Sequence, residues 1–190
     1  MMRIRHWFDF LFPPRIDETT LRNISADEFL VLMAPCLVPA MKPNTVAILP
    51  FSNTFVRAAI HEAKYHGSER AFEFLAATLE KYLQDASNKL NTPIIVPVPL
   101  GTERHKERGF NQVEEIIQRV VPKTEFMVDR TLLRRVRETA SQVSLPRYAR
   151  EENMRGAFKA TRSADPSRTY IVIDDVLTTG ATLKAAINAL

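Results

Sequence analysis

The stretch YIVIDDVLTTGATL, at residues 170–183, places two adjacent carboxylates directly after a strongly apolar, β-branched run. A short apolar run of this kind predicts a buried strand, and the glycine and threonines that follow predict a tight turn into a helix. A buried strand joined by a tight turn to a helix is the repeating unit of α/β domains. This unit restricts the possible folds more than any other feature of the chain.

The rest of the chain alternates strand-like and helix-like segments. Strands are predicted at 45–51 (TVAILPF) and 93–100 (PIIVPVPL). Between them, one helix is expected to begin at Ser52, Asn53 or Thr54 and to stop at Gly67, and a second helix follows it. Another helix is capped by Asn111. Strands that alternate with helices predict a parallel sheet with crossover helices.

The length of 190 residues suits one α/β domain with a small addition. We predict a proline-rich, irregular or partly helical N-terminal region at 1–44 and an α/β domain at 45–190. A sheet of this type usually continues beyond the helix that begins near Gly180. We therefore expect a shortened protein or a fragment, truncated at its C-terminus.

Composition excludes several classes of protein. Cys36 is the only cysteine, which excludes an internal disulfide and a cysteine-rich zinc site. No stretch approaches the roughly 18 apolar residues of a transmembrane segment, and the N-terminal apolar patch lacks a signal-peptide cleavage site. These features fit a cytoplasmic protein. A net charge of +4 is too small to indicate nucleic-acid binding by itself.

The turn after the last strand has the composition of a ligand site. Ligands of open α/β sheets bind beyond the carboxyl ends of the strands, where Asp174 and Asp175 are expected. The hydroxyls and helix N-terminus of LTTGAT suit a phosphate monoester, and the absent P-loop lysine argues against a nucleoside triphosphate. A ribose 5-phosphate fits both the carboxylates and the loop, because its hydroxyls can bind the carboxylates and its phosphate can bind the loop. The alternative is that the two aspartates are solvated residues that open an ordinary turn and bind no ligand.

Two other classes of protein carry acidic pairs, and both fit poorly. Phosphatases of the haloacid-dehalogenase type need a second aspartate where Val176 stands. Receiver domains carry their acidic pair after the first strand, with most of the domain still to follow.

The segment VIDDVLTTGAT resembles the 5-phosphoribosyl-1-pyrophosphate (PRPP) binding signature of type I phosphoribosyltransferases. The resemblance implies a parallel sheet flanked by helices, here with a short N-terminal extension. It also implies that Asp174 and Asp175 are the catalytic carboxylates that hold the ribose hydroxyls. The residues implied to hold the 5′-phosphate are Thr178, Thr179, Gly180, Ala181 and Thr182.

Three further motifs resemble the ComF family of competence-associated, phosphoribosyltransferase-like proteins. They are Lys-Tyr-x-Gly at 64–67, Arg-Gly-Phe-Asn-Gln at 108–112, and the segment 134–158, in which Arg and Thr precede a glutamine. The resemblance spans about residues 45–190. It implies further contacts with the ligand or with a loop over it from Lys64, Asn111, Gln112, Gln142 and Arg150.

The N-terminus departs from this family. ComF-like proteins commonly carry a four-cysteine zinc module there, whereas Arg15, Ile16 and Asp17 stand where cysteine is expected. We therefore expect no structural zinc.

Two basic segments can each be interpreted in more than one way. Arg104 and Arg108 lie in PLGTERHKERG, which suits a pyrophosphate-binding loop but also an ordinary solvated loop. The arginines of 134–155 suit a mobile loop over the site, a contact with nucleic-acid phosphates, or a solvated arm.

Two functions follow from the resemblance. As an enzyme, the protein would bind PRPP with Mg²⁺ and transfer phosphoribosyl to an acceptor that the sequence does not identify. As a non-catalytic module, it would bind a nucleotide or single-stranded DNA within the DNA-uptake machinery.

Overall fold

The structure, a computed structural model, describes residues 15–39, 41–87, 93–140, 145–146 and 148–190. Its helices are α1 (Ile16–Arg22), α2 (Ala26–Val31), α3 (Thr54–His66), α4 (Glu69–Ser87), α5 (Thr102–Arg108), α6 (Gln112–Val120), α7 (Ala149–Met154) and α8 (Ala181–Ile187). Its strands are β1 (Cys36–Leu37), β2 (Val46–Ala47), β3 (Ile94–Pro97), β4 (Met127–Val128), β5 (Leu133–Arg135), β6 (Phe158–Ala160) and β7 (Tyr170–Ile173). A 3₁₀ turn, Val121–Lys123, follows α6.

A three-stranded parallel sheet forms the centre of the fold. Strand β3 pairs with β4 on one side and with β7 on the other. The predicted α/β architecture and parallel sheet are confirmed, whereas a type I phosphoribosyltransferase topology stays a prediction. Two antiparallel pairs, β1 with β2 and β5 with β6, were not predicted.

Apolar side chains cover both faces of this sheet. Successive residues of a strand point to opposite faces, so Ile95 and Val96 of β3 enter different hydrophobic clusters. Ile95 packs in a cluster with residues of α3, α4 and α6, including Ile117. Val96 packs in a cluster with residues of the antiparallel pair β5–β6 and of α8, including Leu133 and Leu183. Burial on both faces explains the continuous apolar run of the β3 sequence.

The predicted limits of α3 are confirmed, but the strand before it is shorter than predicted. The Asn53 side chain accepts hydrogen bonds from the amides of Phe55 and Val56 at 2.9 and 3.3 Å, and Gly67 ends the helix with a φ of 57°. The strand predicted over 45–51 is limited to β2, because the chain turns at Pro50, whose carbonyl accepts from the Asn53 amide.

The described part of the N-terminal region packs on the α/β domain through an ion pair. The guanidinium of Arg15 donates to both carboxylate oxygens of Glu62, at 2.8 and 2.6 Å. Glu62 is fully buried on α3, and its hydrogen bonds with Arg15 hold its pKa below the ordinary value. Within the described ranges, no helix is both long and apolar enough to span a membrane.

Replacing Arg15 by glutamine is expected to lower the free energy of unfolding by about 2 kcal/mol, because Glu62 then loses its charged partner. Since the pKa of Glu62 is lower in the folded state, this stabilisation exists above about pH 4.5 and is lost as the pH falls. Urea unfolding at pH 7 and pH 4 measures both effects. Lys81→Gln, which removes the exposed Lys81–Asp85 pair, serves as the control and should change little. Equal effects of the two substitutions would contradict the role given to Arg15.

Candidate functional site

The candidate site lies at the carboxyl ends of β3 and β7, which are neighbours in the sheet. Pro97 pairs with Ile173 at the last position of the register, and the Val98 amide donates to the Ile173 carbonyl at 2.9 Å. Because the strands are parallel, the segments that follow them leave the sheet at the same edge. Asp174 is the next residue after β7, so it lies beside the segment that leads into α5.

The two carboxylates are held by different partners. The Asp175 amide donates to Asp174 Oδ1 at 2.9 Å, and the Asp175 carboxylate lies 3.0 Å from Lys64 Nζ on α3. Burial of Asp174, followed by the negative charge of Asp175, raises the pKa of Asp174 to about 7. At neutral pH, Asp174 is thus both a donor and an acceptor, whereas Asp175 is paired with a lysine.

The threonine loop lines a shallow, solvent-open cleft that extends from Asp174 to Leu183. The Thr179 hydroxyl accepts from the Ala181 amide at 3.4 Å, and α8 begins at Ala181. Gly180 has a φ of 78°, and a Cβ at this position would overlap the sulfur of Met41. Glycine is therefore required here both for backbone conformation and for space. The loop and Asp174 therefore border the same cleft, and Asp175 is the next residue along the chain.

The basic segment after β3 forms a short helix, α5, where a loop was predicted. Its two candidate arginines point to different partners. Arg104 donates to the Thr139 carbonyl at 3.3 Å, whereas the Arg108 guanidinium lies 5.3 Å from the centre of the Tyr65 ring. The helix places Arg104 and Arg108 one turn apart. Arg104 contacts the segment that follows β5, through Thr139.

The Lys-Tyr-x-Gly and Arg-Gly-Phe-Asn-Gln motifs contact each other. Besides the contact between Tyr65 and Arg108, a Cβ at Gly67 would lie 3.4 Å from the Phe110 ring. Lys64, which precedes Tyr65 on α3, reaches Asp175. The contacts between the two motifs therefore help to fix the lysine beside the acidic pair.

Asn111 and Gln112 are buried, and their polar atoms connect elements of the fold. Asn111 Nδ2 donates to the Val98 carbonyl at 3.1 Å, and its Oδ1 accepts from the Val113 amide at the start of α6. Gln112 Nε2 donates to the Ile60 carbonyl at 3.4 Å. Asn111 confirms its predicted role as a helix cap, and its bond to Val98 fixes the start of the segment that leads to α5. Contact of either residue with a ligand stays a prediction.

Arg150, on α7, donates to the Leu145 carbonyl at 3.1 Å and so holds the turn before its own helix. Gln142 lies outside the described residues. The neighbouring Asn153 binds the backbone of Ala140 twice, through its Oδ1 and its Nδ2, each at 3.1 Å. These bonds attach the segment 138–140 to α7.

The sequence singles out the arginines of 134–155 as a group but does not predict which of them lies beside Arg104. Arg135, at the end of β5, donates to the Thr139 hydroxyl, and its charge interacts with those of Arg104, Glu138 and Asp174. Glu138 accepts hydrogen bonds from the amides of Thr102 and Glu103 at 2.5 and 3.4 Å. The resemblance drew attention to RRVRET as a motif, but its spacing alone does not indicate which arginine turns towards the sheet.

A second group of residues has the composition of a metal site. The ligand atoms of His61, Glu62 and His66 lie within 4.8 Å of one another. However, both oxygens of Glu62 accept from Arg15, and His61 Nδ1 lies 2.9 Å from the carboxylate of Asp17. The guanidinium of Arg15 already neutralises the carboxylate that a cation would need, so this geometry favours an ion-pair network over a metal centre.

Comparison with known proteins relates the chain to proteins of DNA utilization and competence. It is 32% identical to DNA utilization protein YhgH of Salmonella typhi over 130 residues, which are 65% of this chain and 56% of that protein. It is 33% identical to Competence protein F of Haemophilus influenzae over 115 residues, 58% of this chain and 50% of that protein. No family model matches the chain. The chain thus spans about half the length of these relatives, which support a relationship to the ComF family.

Asp174→Asn is expected to raise the free energy of unfolding by about 1–2 kcal/mol at pH 8, because it removes a half-buried charge beside Asp175 and keeps an oxygen for the Asp175 amide. The pKa of Asp174 is higher in the folded than in the unfolded state. The folded protein therefore holds this proton more tightly, and wild-type stability falls as the pH rises from about 4 to about 7. The gain from Asp174→Asn should be absent at pH 4. Thermal unfolding at both pH values measures it, and a gain that does not depend on pH would contradict the high pKa.

Proposed function

We propose that the protein binds the ribose 5-phosphate unit of PRPP, or of a related ligand, in the cleft between the acidic pair and the threonine loop. The observation that carries this proposal is that the carboxylates and the threonine loop lie on one turn, from Asp174 to Thr182. A phosphate alone would be repelled by the carboxylates, and a sugar alone would leave the loop amides and hydroxyls without a charged partner. A phosphorylated sugar matches both.

The ribose hydroxyls are assigned to the two carboxylates. The Asp175 carboxylate lies 3.0 Å from Lys64 Nζ, and its oxygens can accept a hydrogen bond from a hydroxyl. Asp174, with its pKa near 7, can accept or donate at neutral pH. Their oxygens are also the donor type that Mg²⁺ prefers, which fits a cation that arrives with the ligand. When bound, this cation would neutralise charge on the pyrophosphate.

Phosphoribosyl transfer is the reaction that such a site suits best. The bond between ribose C1 and pyrophosphate would break, with the electron pair leaving on pyrophosphate, and an acceptor nucleophile would form the new bond to C1 and release its proton. Because the transition state resembles an oxocarbenium ion, the protein contributes mainly by positioning the ribose and stabilising the leaving group. Arg104 and Arg108, on the helix that follows β3, are assigned to that leaving group.

The names of the relatives support a place for this site in DNA uptake or utilization. A non-catalytic role is the second candidate function, in which the cleft holds a nucleotide or the phosphorylated end of single-stranded DNA. Exposed arginines of the segment 134–155, such as Arg134 and Arg155, would then contact the backbone. Aromatic side chains for base stacking are few there, which favours the small ligand.

Calorimetry with PRPP and Mg²⁺ tests the proposal. We expect the wild type to bind and the double variant Asp174→Asn, Asp175→Asn to lose binding by about 100-fold or more, because both hydroxyl acceptors lose their charge. Asp85→Asn, which changes an exposed carboxylate on α4, is the matched control and should bind as the wild type does.

Equal affinity in the wild type and the double variant would contradict the assignment of the site. Single-stranded DNA binding that weakens steeply with salt, together with no pyrophosphate release from PRPP, would favour the non-catalytic role instead.

A further inference from the structure

The acidic pair of the candidate site lies close to the loop that is assigned to the phosphate of the ligand. Asp174 lines the same cleft as the threonine loop, and Asp175 is the next residue along the chain. A phosphate monoester carries a charge of about −1.5 to −2 at pH 7, so an ionised carboxylate in this cleft repels it. Binding of a phosphorylated sugar therefore needs a positive charge at this edge of the sheet, either from a metal ion or from a side chain of the protein.

Lys64 supplies a positive charge at the acidic pair. Its Nζ lies 3.0 Å from Asp175 Oδ2, and among the described residues no other lysine or arginine lies within ion-pair distance of either aspartate. The lysine also acts on Asp174. Burial and the charge of Asp175 raise the pKa of Asp174, and the charges of Lys64 and Arg135 oppose this rise. Lys64 therefore offsets negative charge on both carboxylates.

The Lys64–Asp175 ion pair is shielded from solvent. Its two side chains are 21% and 16% exposed, whereas those of the Lys81–Asp85 pair on α4 are 55% and 60% exposed. Salt screens partly buried charges less than exposed ones. The charge of Lys64 therefore acts on its neighbours at the sheet edge more strongly than the charge of an exposed lysine would.

The part of α3 that carries Lys64 is anchored by the Arg-Gly-Phe-Asn-Gln motif. Gln112 Nε2 donates to the carbonyl of Ile60, which belongs to the helical turn that ends at Lys64. The guanidinium of Arg108 lies 5.3 Å from the centre of the ring of Tyr65, the residue after the lysine. These contacts hold α3 on both sides of Lys64, so its place beside the acidic pair does not depend on Asp175 alone.

We propose that Lys64 compensates the charge of the acidic pair, so that the ribose 5-phosphate half of the ligand binds without a metal ion. The proposal rests on the proposed function for the identity of the ligand. A divalent cation is then needed only for the pyrophosphate half. A lysine that merely fastens α3 to the sheet would behave differently, because charge compensation matters for a phosphorylated sugar and not for ribose itself.

Calorimetry with ribose 5-phosphate in a buffer that contains EDTA tests this proposal. The wild type should bind, and replacing EDTA by Mg²⁺ should leave its affinity unchanged. Lys64→Met removes the charge and keeps a long side chain, so it should bind about tenfold more weakly without metal. Lys64→Arg keeps the charge and should bind nearly as the wild type does. Lys81→Met, which changes an exposed lysine on α4, is the matched control and should not alter the affinity.

Ribose is the comparison ligand, because it has the hydroxyls without the phosphate. Its affinity, measured by chemical shifts in a titration, should be no lower in Lys64→Met than in the wild type. Lys64→Gln provides a second uncharged variant with the same expected results, and circular dichroism checks the folding of each protein.

Three results would overturn the proposal and leave the proposed function standing. They are wild-type binding of ribose 5-phosphate that requires Mg²⁺, equal metal-free affinity in the wild type and Lys64→Met, and a loss that is as large for ribose, or in Lys64→Arg, as for ribose 5-phosphate in Lys64→Met. The last result would show that the lysine only holds the structure. If the wild type binds ribose 5-phosphate neither with nor without Mg²⁺, the proposed function itself is wrong and this proposal is wrong with it.

Discussion

The parallel pairing of β3 with β7 is the constraint on which the candidate site depends. This pairing places the end of β3, which leads into the basic helix α5, beside the end of β7, which leads into Asp174 and Asp175. These segments have opposite charge and are far apart in sequence, and only the sheet register places them together. Burial of both faces of β3 by separate hydrophobic clusters holds that register, because a shift by one residue would exchange Ile95 and Val96 between the clusters.

Contacts from outside the sheet then set the chemistry of the edge. Lys64 on α3 reaches Asp175, and Asn111 at the start of α6 binds the carbonyl of Val98 just after β3. These sequence motifs therefore act mainly by positioning one another and the residues at this edge of the sheet. Burial and a neighbouring carboxylate raise the pKa of Asp174, so this arrangement disfavours its charged form. A destabilised acid at a sheet edge is a common property of binding sites.

Local signals in the sequence predicted much of the fold and part of the site. The cap at Asn53, the stop at Gly67 and the buried strand at β3 follow from short-range chemistry, and the structure confirms them. The length of β2 was overestimated, because an apolar pattern in one strand does not show where its partner strand ends. The contacts of Arg135 with Thr139 and of Glu138 with Thr102 were not predicted, for a related reason. These contacts depend on the pairing of β5 with β6, and the paired residues of these two strands are 23 or more positions apart along the chain.

Backbone amide chemical shifts in a titration with ribose 5-phosphate test the central claim most directly, which is that one ligand bridges the acidic pair and the threonine loop. We predict that the amides of Asp174 and Asp175 and those of 178–182 shift together with a single dissociation constant. Inorganic phosphate, as the comparison ligand, should shift only the amides of 178–182. Loop shifts from ribose 5-phosphate that leave the amides of both aspartates unchanged would contradict the claim.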